Sequence, residues 1–327
     1  MKLLRRAFLH LAAGTALLPG ASRRAYSQSR TTAQAPDPSV RPLAERLAAY
    51  ADGLRYEDID AATIERVKTH VIDTIGCGIG AFDERPVGIC RDAALAAGGN
   101  ATIIGTDRRT TAELASFANG AAFRYFDFND TYAGPFAVHP SDHIAPCLAV
   151  AEAEKASAQD LATAIVLAYE VNCRLVDALD ISTRGWDPPV MSLPAVALAA
   201  GKLMKLGPGQ LTQAVNLAIN DHIPMAQTRV QTLSDWKGFA DAEAARNAVF
   251  AARLARGGLT GPAADFRRAV GLLQAGVGTC EHRRGHVRPA RGALPHPSVL
   301  HKTLSRRHLH PDGNRGRYRS RQGSRIA

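Results

Sequence analysis

The sequence predicts a mainly α-helical fold, and three observations point to it. Alanine is the commonest residue, and aromatics make up only 6% of the chain, a composition that favours helix over strand. From Leu43 onward, apolar residues recur three or four positions apart, as on a helix that buries one face. Strand–helix alternation, sustained heptads and a solenoid repeat are not found in that stretch. The chain has 327 residues and is 46% hydrophobic, enough for a sizeable core. The body therefore reads as a domain of αα-hairpins.

The segments follow in order. Between Ile59 and Phe82, the residues Ile64, Val67, Val71, Ile75, Ile79 and Phe82 share one helical face. Gly76, Gly78 and Gly80 interrupt it, which signals either close helix packing or an early end, since an interior glycine costs about 1 kcal/mol. Gly98-Gly99-Asn100 is a turn, Ala101–Gly105 a short extended segment, and Thr111–Arg124 a helix. His139-Pro140-Ser141-Asp142 marks a boundary before a helix from Ile144 to Lys155. Ser157-Ala158-Gln159-Asp160 supplies helix-start residues for a long helix from Leu161 to Leu179. Pro188-Pro189 breaks the chain. Helices follow over Leu193–Leu206, Gln210–Asn220 and Asp241–Arg256, punctuated by Gly207-Pro208-Gly209 and Gly257-Gly258.

The two ends differ from the body. Met1–His10 carries Lys2, Arg5 and Arg6 ahead of an apolar stretch from Ala7 to Leu18, too short to span a bilayer. Arg5-Arg6-Ala7-Phe8-Leu9 resembles a twin-arginine export signal, and Ala25-Tyr26-Ser27 is a candidate cleavage site. Residues 1–28 thus read as a signal peptide that implies a periplasmic location, with a cytoplasmic one as the alternative. Residues 29–42 read as a linker. The formal charge of +10 suggests an anionic partner, but 12 Lys/Arg against 2 Asp/Glu from Glu281 to Ala327 account for all of it. Residues 279–327 also lose hydrophobic periodicity and read as a basic, disordered tail. That tail has two readings: an arm for nucleic acid or anionic lipid, or the product of a shifted reading frame. Tyr318 as its sole aromatic residue argues against single-strand stacking, and the export signal argues against nucleic acid as a partner. Beyond that signal, no membrane association is expected. The five cysteines form no C-x-x-C and no zinc-like spacing with histidine, so they read as small buried thiols.

Three polar islands stand out. Asp127-Phe128-Asn129-Asp130-Thr131 and His139-Pro140-Ser141-Asp142-His143 place three aspartates and two histidines within 17 residues, between apolar helices. Carboxylates and imidazoles at helix ends suit proton transfer, and helix N-termini suit substrate carboxylates. Ordinary capping by Asp130, Thr131, Ser141 and Asp142 is the alternative. Gln227-Thr228-Arg229 with Ser234-Asp235-Trp236-Lys237-Gly238 forms the second island, where Lys237 suits a carboxylate as a point charge or is a solvated surface lysine. Arg184-Gly185-Trp186-Asp187-Pro188 is the third, a binding turn or a rigid one.

Together the islands resemble the MmgE/PrpD family. The D-x-N-D-T and H-P-S signatures match Asp127–Thr131 and His139–Ser141. Gly201–Gly207 resembles the family's G-K-L-L-G-type helix end. Trp236-Lys237-Gly238, Ala244-Ala245-Arg246-Asn247 and Gly257–Pro262 resemble its lysine segment. The likeness runs from about Pro42 to about Gly276, and residues 43–278 are taken as the helical domain. The resemblance implies an all-helical domain followed by a smaller α/β lid, in a homodimer. It implies lyase chemistry on a small di- or tricarboxylate, like that of 2-methylcitrate dehydratase, with no metal or organic cofactor. It places Asp127, Thr131, His139 and Lys237 at the substrate site. Chemistry then assigns roles, with Asp127, His139 and Lys237 the catalytic candidates: His139 moves a proton, Asp127 orients it or acts as partner base, and Lys237 and Thr131 hold substrate carboxylates and stabilise enolate-like charge. Thr131, Asp130, Ser141 and Asp187 are the substrate-binding candidates.

The sequence departs from the family twice. Asp187 lies where some members carry a nearby histidine in an R-x-H-P-type turn, which weighs against the decarboxylase subtype. The lid is also replaced by the basic tail, so weak or no activity is expected of this chain. Dehydration, decarboxylation and epimerisation all begin at carbon next to a carboxylate and stay open. A periplasmic small-anion binding protein without turnover is the rival reading.

Overall fold

A computed structural model describes residues 41–263 apart from 182, 183, 221 and 231. The signal peptide, nearly all of the linker, Cys280, the last part of the expected domain and the basic tail lie outside the described residues.

The expected helical architecture is observed. Helix α1 spans Leu43–Gly53, α2 Ala61–Gly80, α3 Arg85–Ala94 and α4 Ala112–Arg124. After a loop come α5 at Ile144–Ala153, α6 at Ala158–Ala178, α7 at Ser192–Leu203, α8 at Pro208–Asn220 and α9 at Ala240–Arg256. The start signals work as capping chemistry predicts. Asp60 accepts the Thr63 N–H and Thr111 accepts the Leu114 N–H, while Ser157 and Asp160 form a reciprocal capping box. Among the described residues, no helix is long and apolar enough to cross a membrane.

Helix α7 lies at the centre. Its sequence is apolar all round, and every residue from Ser192 to Gly201 is buried, as expected of a helix covered on all sides. Helices α5, α6, α8 and α9 pack against it, and α4 joins α5 and α9. Small side chains permit the close approaches. A Cβ on Gly120 of α4 would sit 3.1 Å from Ala242 Cβ of α9, and one on Gly201 would sit 2.6 Å from Leu211 of α8. Helix α2 continues through its three glycines. At Gly78 the reason is contact, because an added Cβ would fall 2.5 Å from the Phe123 ring.

The described residues also form two short hairpins. Strands β1 (Ala101–Thr102) and β2 (Arg109–Thr110) pair antiparallel, Ala101 opposite Thr110. Strands β3 (Tyr132–Ala133) and β4 (Ala137–Val138) do the same, Tyr132 opposite Val138. The first realises the extended segment expected at Ala101–Gly105. The second lies between the two halves of the first polar island and brings them together. Cys90, Cys147 and Cys173 are buried thiols, as expected, and Cys77 is half-buried.

The turn before β1 has no room for a side chain. A Cβ at Gly99 would lie 2.2 Å from the Thr110 carbonyl oxygen and 2.6 Å from the Thr111 nitrogen. Both are backbone atoms held by β2 and the α4 cap. Gly99→Ala is therefore expected to destabilise the domain by about 1–3 kcal/mol, read as a fall in the urea midpoint. An unchanged midpoint would show that the turn can shift at no cost.

Candidate active site

The expected catalytic trio converges although its members lie far apart in sequence. Asp127 follows the end of α4 with a left-handed backbone, φ 59°, a conformation that Asp and Asn tolerate better than other side chains. That turn returns its carboxylate over Arg124, with which it forms an ion pair. Lys237 comes from a 3₁₀ turn at Asp235–Gly238, just ahead of α9. Its Nζ donates to Asp127 Oδ2 at 2.8 Å. His139 opens another 3₁₀ turn, Pro140–His143, and its Nε2 lies 3.7 Å from Asp127 Oδ1.

The other ring nitrogen fixes the state of His139. Nδ1 lies 2.6 Å from the Asp130 carbonyl oxygen and 3.3 Å from Thr131 Oγ1. A carbonyl only accepts, so the proton sits on Nδ1 and the lone pair on Nε2, the side that faces Asp127. Burial, and then the nearby Arg124 charge, lower the His139 pKa to about 4. At neutral pH the imidazole is thus an unprotonated acceptor. Burial also lowers the Lys237 pKa, assisted by Arg124 and Arg229.

Behind this trio lies a buried layer of charge. Arg124, 2% exposed, reaches Asp142 with its Nε 3.4 Å from Oδ2. Asp142 also accepts from Asn129 Nδ2 at 2.8 Å. Burial, with Asp241 nearby, holds its carboxyl well above the usual range. Asp187 is fully buried, and its Oδ1 accepts from Arg229 Nε at 2.5 Å. Burial raises its pKa against the pull of Arg229. The same Arg229 lies 3.8 Å from Asp241, which accepts the Ser192 hydroxyl at 3.1 Å. Arg229 belonged to the second polar island without a role of its own, and Arg124 and Asp241 were not among the residues expected at the site. Arg124 looks like an ordinary helix-end cation and Asp241 like an ordinary helix start. The usable signal was an arginine at the end of the helix Ala112–Arg124, three residues before Asp127.

The substrate-binding candidates divide. Thr131 is exposed beside His139. Asp187 backs Arg229. Asp130 and Ser141 are 3% and 0% exposed and are taken up by protein groups. Asp130 accepts the Ser141 N–H at 3.0 Å and the Tyr169 hydroxyl at 2.8 Å. Ser141 Oγ accepts from Asn129 at 3.0 Å. These bonds tie both side chains to the protein, although neither residue is the N-cap of the turn at Pro140–His143 or of α5. On the open side, Phe128, Met225, Val230, Leu233 and Trp236 are exposed apolar residues on the loops that carry the cluster. A separate cavity of about 290 Å³ lies among α2, α3 and α4. Its lining is apolar apart from Asp83, Arg91 and Asn119 and includes no histidine. Among the described residues, no group of three or more His, Cys, Asp or Glu is arranged to hold a metal ion.

Comparison with known proteins agrees with the motifs. The family model for the MmgE/PrpD N-terminal domain matches residues 45–283. A cis-aconitate decarboxylase of Homo sapiens is 31% identical over 252 residues, 73% of this chain and 50% of that protein. A cis-aconitate decarboxylase-like protein of Aspergillus oryzae is 29% identical over 243 residues, covering 67% and 48%. A 2-methylcitrate dehydratase of Cupriavidus necator is 26% identical over 258 residues, covering 72% and 51%. The chain spans about half the length of the curated relatives it matches.

Proposed function

We propose, on the premise that the chain belongs to the MmgE/PrpD family, that it provides the proton-transfer half of a lyase acting on a small di- or tricarboxylate. The observation that carries this reading is the placement of His139, whose pKa burial lowers to about 4. Its protonated nitrogen is tied to a backbone carbonyl, and its lone pair stands beside the Asp127–Lys237 pair. Related proteins named as dehydratases and decarboxylases support the reaction class.

In this reading Lys237, Arg229 and Thr131 engage substrate carboxylates, and His139 Nε2 removes the proton from carbon next to one of them. The developing enolate-like charge falls near Lys237. In a dehydration, the C–H electron pair becomes the C=C bond as the C–O bond breaks. The hydroxyl then leaves as water with the proton that His139 took. Asp187, engaged with Arg229, stands near where some family members place a histidine, and favours dehydration over decarboxylation. The reading uses this chain's own side chains and names no cofactor. A homodimer and a periplasmic location belong to the same proposal, tested by light scattering and by cell fractionation.

The deciding assay incubates the chain with 2-methylcitrate, cis-aconitate and related tricarboxylates in D₂O, followed by proton NMR. Loss of a C–H signal with a new vinylic one supports dehydration. Deuterium exchange without net dehydration fits a chain that spans about half the length of its relatives, whereas binding without even that exchange overturns the catalytic reading in favour of anion binding. Lys237→Met is expected to weaken tricarboxylate binding by roughly 10–100-fold, the loss of one charged hydrogen bond, measured by calorimetry.

A further inference from the structure

We infer that Tyr169 is a positioning residue for His139, acting through Asp130 to fix which imidazole nitrogen carries the proton. The functional meaning rests on His139 as proton carrier, but the tautomer can be read without substrate.

The connection is a short chain of bonds. Tyr169 lies on α6 and is 2% exposed. Its hydroxyl donates to Asp130 Oδ2 at 2.8 Å. Asp130 Oδ1 accepts the Ser141 N–H at 3.0 Å. The Asp130 carbonyl accepts from His139 Nδ1 at 2.6 Å. One carboxylate oxygen is thus tied to helix α6 and the other to the turn that begins at Pro140. The residue between them is left with one orientation for its carbonyl, aimed at the ring. The β3–β4 hairpin separates Asp130 from His139 in sequence, and these bonds close its base.

A core tyrosine needs only some acceptor for its hydroxyl. Tyr169 uses the carboxylate whose backbone sets the state of the proposed proton carrier. The groups on that carboxylate oxygen are few. His70 Nδ1 lies 3.4 Å from Oδ2, and the His70 and His143 rings flank Tyr169 at 5.5 and 6.5 Å. Without the hydroxyl, Asp130 Oδ2 loses its 2.8 Å donor and is left with the longer contact to His70, and a buried acceptor that loses a donor pulls its residue toward a new one. Rotation of Asp130 would turn its carbonyl off Nδ1. The charged and titratable groups around His139 are Asp127, Arg124, Asp130 and Asp241, with Lys237 held on Asp127. On the Nε2 side stands the Asp127 carboxylate, an acceptor that would favour the opposite tautomer once the carbonyl moves.

The test is ¹⁵N–¹H NMR of the histidine-labelled 327-residue chain at pH 7, with His139→Gln assigning the signal. Wild type is expected to show His139 as the Nδ1–H form. Tyr169→Phe, which keeps the ring, is expected to populate the Nε2–H form visibly, and Asp130→Asn to shift the signal the same way. Thr110→Val, which removes buried hydroxyl bonds to the Ala94 and Ala97 carbonyls, is the control. It destabilises the fold but leaves the His139 signal in place. Where turnover is measurable, Tyr169→Phe lowers kcat by roughly tenfold with KM little changed. An Nε2–H signal in wild type overturns the inference. So does a folded Tyr169→Phe or Asp130→Asn with the wild-type signal. A chain that moves its tautomer as expected but turns over no carboxylate retains this inference and loses only the catalytic proposal.

Discussion

His139→Gln is expected to lower proton exchange at the carbon next to a substrate carboxylate by about 10²–10⁴-fold, the usual contribution of a positioned acid–base group. Tricarboxylate binding should change little, because the cations at Lys237 and Arg229 remain. Glutamine approximates the size of imidazole and can still donate toward the Asp130 carbonyl, so the loop keeps its bond while the base is lost. The direction of the pH dependence follows from the lowered pKa of about 4. The base works unprotonated, so kcat/KM should hold steady down to about pH 5 and fall as pH passes through about 4. A variant that retains exchange, or a wild-type acid limb near 6.5, would remove His139 from the proton-carrier role. Deuterium incorporation followed by NMR reads both outcomes, even at low turnover.

The second large effect falls on stability. Arg124→Met keeps most of the side-chain length but removes the cation between Asp127 and Asp142. Breaking a buried pair from one side costs about 3–5 kcal/mol, because the remaining charge has no partner. Asp142 escapes part of that cost by taking a proton. Its folded pKa is already raised and rises further without Arg124. A carboxyl with a raised folded pKa binds a proton in the native state that the unfolded chain does not, so lowering the pH favours the native state. The deficit of Arg124→Met should therefore be largest at neutral pH and shrink toward pH 5. Urea unfolding of both proteins at pH 7.5 and 5 checks this. A deficit that grows on acidification would show that Asp142 is not the group left stranded.

Much of the helical body was legible, and the reasons are local. The 157–178 segment carries its capping box and its apolar stripe in plain order, and both formed. The apolar run around Ala195 read as a helix, and its burial on all sides became visible only in the fold. Helix α3 escaped notice because Pro86 and Gly88 dilute its pattern, although proline in the first turn is compatible with a helix start. The β3–β4 hairpin has only two paired residues on each side, too few for alternation to register. At the site, motif resemblance supplied Asp127, His139 and Lys237. No local signal could pair Asp127 with a lysine 110 residues away. The roles of Asp130 and Ser141 were illegible for a related reason. Facing inward or outward is decided by a hairpin that closes on a tyrosine 39 residues along the chain.

The cations of the cluster each hold a carboxylate of the chain itself: Lys237 holds Asp127, Arg229 holds Asp187, and Arg124 is shared between Asp127 and Asp142. In the proposed reaction these aspartates are resident counter-ions, and loading a substrate becomes an ion exchange. A monocarboxylate can displace one of them and gains little, because it trades one ion pair for another. A molecule with two or three carboxylates on one short skeleton displaces several at once and releases their aspartates together. Discrimination by valence would then be set by the site's own anions, before any contact reads the shape of the carbon chain.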